Sequence, residues 1–587
     1  MTNKEIAKLL RKVAAAYTIK NANRFKIIAY EKAADSIDHL ASELKDLASE
    51  GKLHTVSGIG PSIASHLDEL FKIGKVKHFE QIFSQVPQAI FPLLDLTGFG
   101  AKKAYKLVIA LNLKDPDTVL DDILKAAKNH KIANIESFGE KSEKDIQEAV
   151  ESYRNSPKKE IRMPLPYAHA IALDIVSYLK KSPTVEEVAT LGSLRRMVST
   201  IGDIDLALAT REPQKAIEWF LTYPKKQKVV EKGKEGATII LGGGQQVDLR
   251  VVKPQAWGAM LQYFTGSKNH NIHLREFALK KGWSLNEYGI KNIKTGDVSK
   301  FSIEENFYKF LSLPWIPPEI REDRGEIEAA LAHKLPKLIK LGDVKGDLQI
   351  HSNYPIEPSH DLGKNSMEEI LEKAKSLGYE HIAFTEHNPS VSKHTISQIL
   401  TIMKKRKAKI EQLKASTKSV RILNLLEIDI SADGRLALPE EAFNFIDAAL
   451  VSIHSSFNQP KEAMTERVLK GLSHPKAKIF AHPTARLINQ RDSISLDFEK
   501  IFEFCAKNKK AIEINAYPNR LDLPDILVQE AKKYGVKFTL GTDAHDNSGM
   551  VLMPYGVSVA RRGWLEKDDI LNTLPYNKLI NWLTERG

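Results

Sequence analysis

A chain of 587 residues is longer than one hydrophobic core serves and implies about three to five domains. Its 42% hydrophobic and 27% charged content is that of a globular chain, its single cysteine excludes an internal disulfide and a thiolate metal cage, and its +12 charge favours an anionic partner. No apolar run is long enough to span a bilayer and MTNKEIAKLLRK lacks a signal-peptide core, so the expectation is a cytoplasmic protein with no membrane partner.

Taken in order, IAKLLRKVAAAY and NANRFKIIAYEKAADSI space apolar residues three to four apart with basic ones between, which predicts helices to about residue 80. VSGIGPSIASHLDEL then sets Gly58 and Gly60 around Ile59, directly before a helical pattern. Such a turn exposes backbone N–H groups at a helix N-terminus, where a phosphate binds. The pattern recurs with Gly98 and Gly100 in LTGFGAKKAYKLVIAL, and less well with Gly139 in IESFGEKSEKDIQEAV. One Gly-x-Gly turn is an ordinary helix connection. Repeated copies resemble helix-hairpin-helix motifs, which grip a DNA backbone without reading its sequence.

A break at NSPKKEIRMPLP marks a boundary, and strands mix with helices beyond it. LGSLRRMVSTIGDIDLALAT reads as a strand ending at Gly192-Ser193, a basic turn, and a second strand opening with Asp203 and Asp205. Residues two apart on a strand face one side, so the two carboxylates point together, and paired carboxylates are how proteins hold magnesium beside phosphates. ATIILGGGQQVDLRVV reads as two strands around a Gly-rich turn, the second carrying Asp248 and Arg250. YFTGSKNHNIHLREFALKKGW follows. The charged, partly helical REDRGEIEAALAHKLPKLIKLGDVKG reads as an interdomain linker.

From Asp347 short apolar runs alternate with helical stretches: GDLQIH, HIAFTEH, VRILNLLEIDI, DAALVSIH, AKIFAHP, AIEINAYP and VKFTLGTDAH. Such units suggest a parallel α/β barrel of about seven strands, whose C-terminal strand ends build a site. Nearly every run ends in a ligand type: His351, His387, Glu427, His454, His482, Asp543 and His545. Imidazole and carboxylate without thiols suit Mn²⁺, Zn²⁺ or Fe. The run KKRKAK (404–409) lies in a helical pattern and reads as a solvated face rather than a nucleic-acid patch.

GS-x-RR…GD-x-D, a third Asp on a later strand and YFTGS together resemble the family X DNA polymerases, the family of DNA polymerase beta. PPEIREDRGE and the histidine series resemble the bacterial form, in which a PHP (polymerase and histidinol phosphatase) domain follows the polymerase. The resemblance covers essentially the whole chain. It implies a polymerase-beta-like helical DNA-binding domain (1–82), a fingers-like helix-hairpin-helix part (83–156), an α+β palm with a nucleotide-selecting subdomain (157–318), a linker (319–345) and a PHP domain in a distorted barrel (346–587). It also implies filling of short gaps in base excision repair, with gapped or primer-template DNA and dNTPs as partners, by a monomer at the bacterial nucleoid. Phosphoryl transfer to a primer hydroxyl needs two cations, Mg²⁺ or Mn²⁺, which Asp203, Asp205 and Asp248 would hold. Ser193 and Arg196, with Arg195 and Gly202 nearby, would hold the β- and γ-phosphates. By resemblance Tyr263, Phe264 and Gly266 lie along the sugar, Asn271 reaches a base edge, and Arg250 and Arg275 contact DNA, as do Gly58, Gly60, Gly98 and Gly100.

The departures from the family are specific. Met197-Val198 follow the Arg pair where relatives carry Gly and a small or basic residue. The lyase lysine position falls on His66, and a neighbouring basic position on Ser62; a Schiff base needs an amine, so dRP-lyase activity is not expected. The PHP His-x-His reads Gln349-x-His351, Ile356 stands where Asp is expected with Glu357 and Asp361 as substitutes only in a rearranged loop, and Glu386 replaces an Asp. The expectation is a polymerase with a PHP 3′-5′ exonuclease or phosphodiesterase. The alternatives are a template-independent nucleotidyltransferase, or a repair scaffold with an inactive PHP site.

Overall fold

The chain is described by a computed structural model, covering all residues except 2, 39–43, 50, 57, 97–98, 137, 156–161, 242–243, 359, 490 and 586–587; for some others in the first unit only the backbone is described. It divides into two compact units, Met1–Ile161 and Arg162–Gly587.

The first unit is helical. Helices Asn3–Ile19, Arg24–Asp38, Pro61–Ile73, Lys77–Phe83, Ala101–Ala110, Val119–Lys128 and Glu140–Asn155 follow the three-to-four apolar spacing of the sequence. One core joins them: Leu10, Leu67, Phe79, Leu107, Ile123 and Val150 lie in a single buried cluster, so the residues before and after position 82 share it. Gly60 caps the helix Pro61–Ile73 and Gly100 the helix Ala101–Ala110. Gly98 lies outside the described residues.

The second unit opens with a five-stranded sheet: β1 (Glu187–Thr190), β2 (Ile204–Ala209), β3 (Lys226–Lys232), β4 (Gly236–Leu241) and β5 (Gln246–Val252), in the order β1-β2-β5-β4-β3. Only β2 and β5 are parallel neighbours. Val247, Leu249 and Val251 alternate inward on β5, while Gln246, Asp248 and Arg250 face the other side, as a half-buried strand requires. Beyond it come helices Trp257–Thr265 and Lys268–Lys280, a three-stranded sheet (Trp283–Asn286, Gly289–Asn292, Val298–Ser299) and helix Glu304–Phe310. Segment 319–345, expected as a linker, is packed: Ile320, Ile327 and Ala330 share a core with Phe307 and Leu274, and Arg321 is fully buried.

The remainder is a parallel barrel of seven strands in sequential order: β6 (Gly346–Ile350), β7 (His381–Phe384), β8 (Arg421–Asp429), β9 (Ala448–Ser452), β10 (Ala477–Phe480), β11 (Ala511–Asn515) and β12 (Lys537–Gly541). These are the seven runs read from sequence, and their near-continuous burial fits strands covered on both faces. His351 N donates to Ala544 O at 2.9 Å and Asp543 N to Gln349 O at 3.0 Å, drawing the first and last strand ends together. The KKRKAK run lies on helix Ile396–Ser416. Lys404, Lys405 and Lys407 are solvated as expected, but Arg406 is turned inward and fully buried.

Buried ion pairs hold the polymerase-like half of this unit. Glu304 takes both Arg195 (Nη2–Oε2 2.8 Å) and Arg321 (Nη1–Oε1 2.7 Å), and Trp315 Nε1 donates to it at 2.9 Å. Burial would raise its carboxyl, but Arg321 and Arg195 hold it down at about 2, below its usual 4.5. That stabilisation is fully present above pH 4.5 and is lost as pH falls toward 2. Glu304→Gln is expected to cost about 3–5 kcal/mol in denaturant titrations at pH 7, because two guanidiniums lose their buried counter-charge, and the gap from wild type is expected to narrow on acidification.

Candidate functional site

β2 and β5 are in register so that Asp205 lies opposite Asp248, and Asp203 enters the same space from the residue before β2. One carboxylate oxygen from each of the three lies within 4.8 Å of the others. Asp248 is fixed by Thr238, whose hydroxyl donates to Oδ1, and by Gln246 Nε2 at 2.8 Å from Oδ2. Burial, then the charges of Asp203 and Asp248, push Asp205 up to about 7. The chain before β2 turns through the short helix Gly192–Arg195 rather than the plain turn expected. Gly192 there has φ +55°, and a Cβ on it would sit 2.4 Å from Asp205 Oδ2, so only glycine admits the carboxylate.

The two arginines of the basic turn differ. Arg195 is committed to Glu304, with a further bond to Thr265 Oγ1 at 2.5 Å. Arg196 is bonded to Glu322 (Nε–Oε1 3.0 Å) and to the carbonyl of Thr265 (2.5 Å), yet it lies near enough to Asp205 to lower that carboxyl's pKa. Ser193 is half-buried beside them and Gly202 is exposed. Gly266 lets Arg196 in, since a Cβ there would lie 3.0 Å from Nη1. Tyr263 and Phe264 meet edge to face at 5.0 Å, with Arg275 over Tyr263 and Arg250 over Phe264. Asn271 is tied back to its own subdomain: its Nδ2 donates to Tyr263 O at 2.6 Å and its Oδ1 accepts from Gln262.

In the first unit His66 bonds through Nδ1 to the Tyr30 hydroxyl (2.8 Å) and stacks on His78 at 4.8 Å, while Ser62 is exposed. Burial, then the charge of His78, keep His66 below its usual pKa. Gly58, Gly60 and Gly100 are exposed.

At the C-terminal strand ends of the barrel all seven expected residues converge. Ligand atoms of His351, His387 and His545 lie within 4.8 Å of one another, as do those of His387, Glu427 and His454, and of His351, Glu427 and Asp543. His482 Nε2 lies 2.9 Å from Glu427 Oε1. Burial would raise Glu427; the charge of His387 and bonds from His351 and His482 hold it well below the usual range. Burial likewise opposes His351, which Asp543 and Glu427 raise to about 10. These groups suit cations: His387 Nδ1 and His482 Nδ1 are buried with no hydrogen-bond partner, among carboxylates that offer acceptor oxygens and no proton. The palm triad suits one equally, being three crowded acceptors of like charge.

The departures at the barrel site fall into place. Gln349 is buried and donates to Glu427 Oε2 at 2.8 Å. Glu386 faces away, bonded to the buried Arg406 (Nε–Oε2 2.7 Å) and to Ser352, so it is a core ion pair. Ile356 is fully buried, Glu357 pairs at the surface with His394, and Asp361 is exposed. None of these replaces the missing carboxylate. His360 enters instead: its Nε2 lies 2.8 Å from Asp429 Oδ2, and Asp429 Oδ1 lies 2.7 Å from His454 Nδ1. These three also cluster within 4.8 Å. Sequence reasoning missed both. Asp429 was findable, lying two residues beyond Glu427 on one strand and hence on the same face. His360 gave no signal, because the fold of its loop, anchored by Ile356, decides where it points.

Residues 1–76 match the description helix-hairpin-helix domain, residues 260–322 DNA polymerase beta thumb, and residues 347–517 PHP domain. The chain is 34% identical over 579 residues, 97% of each chain, to the DNA polymerase/3'-5' exonuclease PolX of Bacillus subtilis (strain 168). It is 25% identical over 349 residues to DNA polymerase lambda of Rattus norvegicus, covering 54% of this chain and 56% of that one. Over 232 residues, 38% of this chain and 89% of the relative, it is 25% identical to a probable phosphatase of Thermoanaerobacter sp. (strain X514). With a carboxylate triad on the palm sheet, a histidine cluster on the barrel and whole-length similarity to PolX, the chain belongs to the PHP-containing family X DNA polymerases.

Proposed function

We propose that the chain fills short gaps in DNA during base excision repair by nucleotidyl transfer at Asp203, Asp205 and Asp248, and removes 3′ nucleotides at the barrel cluster. The observation that carries the first activity is the convergence of three carboxylates within 4.8 Å on a sheet beside Arg196. Magnesium or manganese bound there would lower the pKa of a primer hydroxyl and neutralise triphosphate charge. Asp203 and Asp205 would hold both ions in place. Asp248, oriented by Thr238 and Gln246, faces the primer end and accepts its proton. Ser193, Gly202 and Arg196 hold the β- and γ-phosphates; Arg195, spent on Glu304, shapes the loop instead of touching them. Tyr263, Phe264 and Gly266 flank the sugar, and Asn271 must leave Tyr263 O to reach a base edge. Arg275 meets the template, Arg250 contacts the DNA, and the helix starts at Gly58, Gly60 and Gly100 grip the DNA backbone.

In the barrel, His351, His387, Glu427, His454, His482, Asp543 and His545, joined by His360 and Asp429, would hold Mn²⁺, Zn²⁺ or Fe. Such ions supply a hydroxide-like water and neutralise a scissile phosphate. The protein works as a monomer in the bacterial cytoplasm, at the nucleoid; no helix of the described residues is long and apolar enough to cross a membrane.

Asp205→Ala is expected to lower single-nucleotide gap filling by about 100- to 1,000-fold or more while 3′ excision persists, and undiminished synthesis would refute the assignment. For the barrel, His360→Ala is expected to lower bound Mn²⁺, measured by elemental analysis, by about one ion per chain, with the palm site still occupied; an unchanged metal content would remove His360 from the ligand set. Because His66 has no amine, borohydride trapping on an abasic substrate should give no adduct within residues 55–75, and a strong adduct there would contradict the reading.

A further inference from the structure

The polymerase-like half and the barrel lie in one compact unit, and a chain of buried charges runs between them to the triphosphate loop. Arg562, the last residue of the barrel helix Met553–Arg562, has a side chain only 3% exposed. Its Nη1 donates to the main-chain carbonyl of Arg196 at 2.8 Å and to Glu322 Oε1 at 2.9 Å, and its Nη2 to Asp525 Oδ2 at 2.9 Å. The same Glu322 oxygen accepts from Arg196 Nε at 3.0 Å, so Arg562 holds Arg196 twice, by its backbone and through a shared carboxylate. Asp525, on barrel helix Asp525–Lys533, also takes Arg324 at 3.0 Å. Burial would raise Glu322, but Arg196, Arg562 and Arg324 keep it at about 2, so the bridge is charged at neutral pH.

A second feature of the loop calls for such a hold. Met197, directly after the carbonyl that Arg562 grips, has φ +55°. A non-glycine side chain in that region costs on the order of 1–2 kcal/mol and persists only where its surroundings fix it. Met197 and Val198 pack against the large core that also includes barrel residues, and Val198 N returns to Ser193 O at 3.0 Å, closing the turn that carries Ser193 and Arg196. With Nε on Glu322 and Nη1 on Thr265 O, Arg196 retains Nη2 for a ligand.

We propose that the barrel is a working part of the polymerase's nucleotide site: Arg562 is a positioning residue that sets the Ser193–Arg196 turn for the incoming triphosphate. The inference rests on Arg196 as a triphosphate contact. It makes nucleotide affinity depend on a residue of the other catalytic domain, through Glu322 and the Arg196 carbonyl.

The test is single-nucleotide gap filling by the full-length chain with dNTP varied. Arg562→Lys keeps the charge but has no fork to reach a carbonyl and two carboxylates at once. It is expected to raise the dNTP KM about ten-fold with kcat within about two-fold, while 3′ excision and Tm stay near wild type. In the Arg196→Ala background the same substitution should raise KM by a smaller factor, since the path through Glu322 to the Arg196 side chain is already lost and only the hold on the main-chain carbonyl remains. Should Arg562→Lys fold poorly, Asp525→Asn loosens the anchor from the barrel side and should raise KM in the same direction by a smaller factor. A wild-type KM in a folded Arg562→Lys protein, or an equal further rise on top of Arg196→Ala, overturns the inference. An unchanged dNTP KM in Arg196→Ala alone overturns instead the triphosphate role on which it rests, and the inference with it.

Discussion

Asp205 and Asp248 face each other across adjacent parallel strands, and the backbone gives them no way to separate. Hydrogen bonds between β2 and β5 fix their spacing, Thr238 and Gln246 fix the orientation of Asp248, and the missing side chain of Gly192 lets Asp205 press against the preceding turn. Burial, and then the like charges of Asp203 and Asp248, raise Asp205 to about 7, a crowding that a cation would relieve. The surrounding structure serves the same constraint. Arg195, Glu304 and Arg321 form a buried triad that carries the basic turn, and Arg196 is left beside the carboxylates.

The barrel solves the opposite problem. There, imidazoles dominate and a few carboxylates, Glu427 and Asp543 above all, are held well below their ordinary pKa by the histidines around them. Ligands arrive from successive strand ends, so the sheet order alone sets their ring. Glu513 is the exception: burial and then the charge of Asp543 drive it well above the usual range, and it accepts from the backbone N–H of His482 at 2.7 Å. It fixes the backbone of His482 from behind. The two centres thus share one compact unit but differ in donor chemistry, oxygen alone on the palm and mixed nitrogen and oxygen in the barrel, which suits different ions to each.

Much of this was legible in the sequence because it depends on local spacing. The Asp-x-Asp pair, the third Asp and the seven apolar runs, six of them ending in candidate ligands, are period-two and strand-end patterns, and each lies where that spacing put it. What was not legible depends on loops and on long-range charge pairing. Arg406, inside a lysine-rich run, points inward because Glu386 needs a buried counter-charge across the sheet, and no helical periodicity announces that. The segment 319–345 looks like a charged linker, yet Glu322 pairs with Arg562 and Arg324 with Asp525 across to the barrel, while Arg321 is buried against Glu304. His360 joins Asp429 and His454 where the motif led to a carboxylate at Ile356, Glu357 or Asp361, and only the path of its loop reveals it. Asn271 is likewise turned back onto Tyr263 O, a conformation no motif encodes.

If both crowded centres are cation sites, anomalous diffraction from crystals of the full-length protein grown with Mn²⁺ will show manganese peaks between Asp203, Asp205 and Asp248, and at least one further peak in the barrel with His360 and His454 among its neighbours. Peaks at neither centre, with Asp205 protonated and bonded to Asp248, would contradict that assignment.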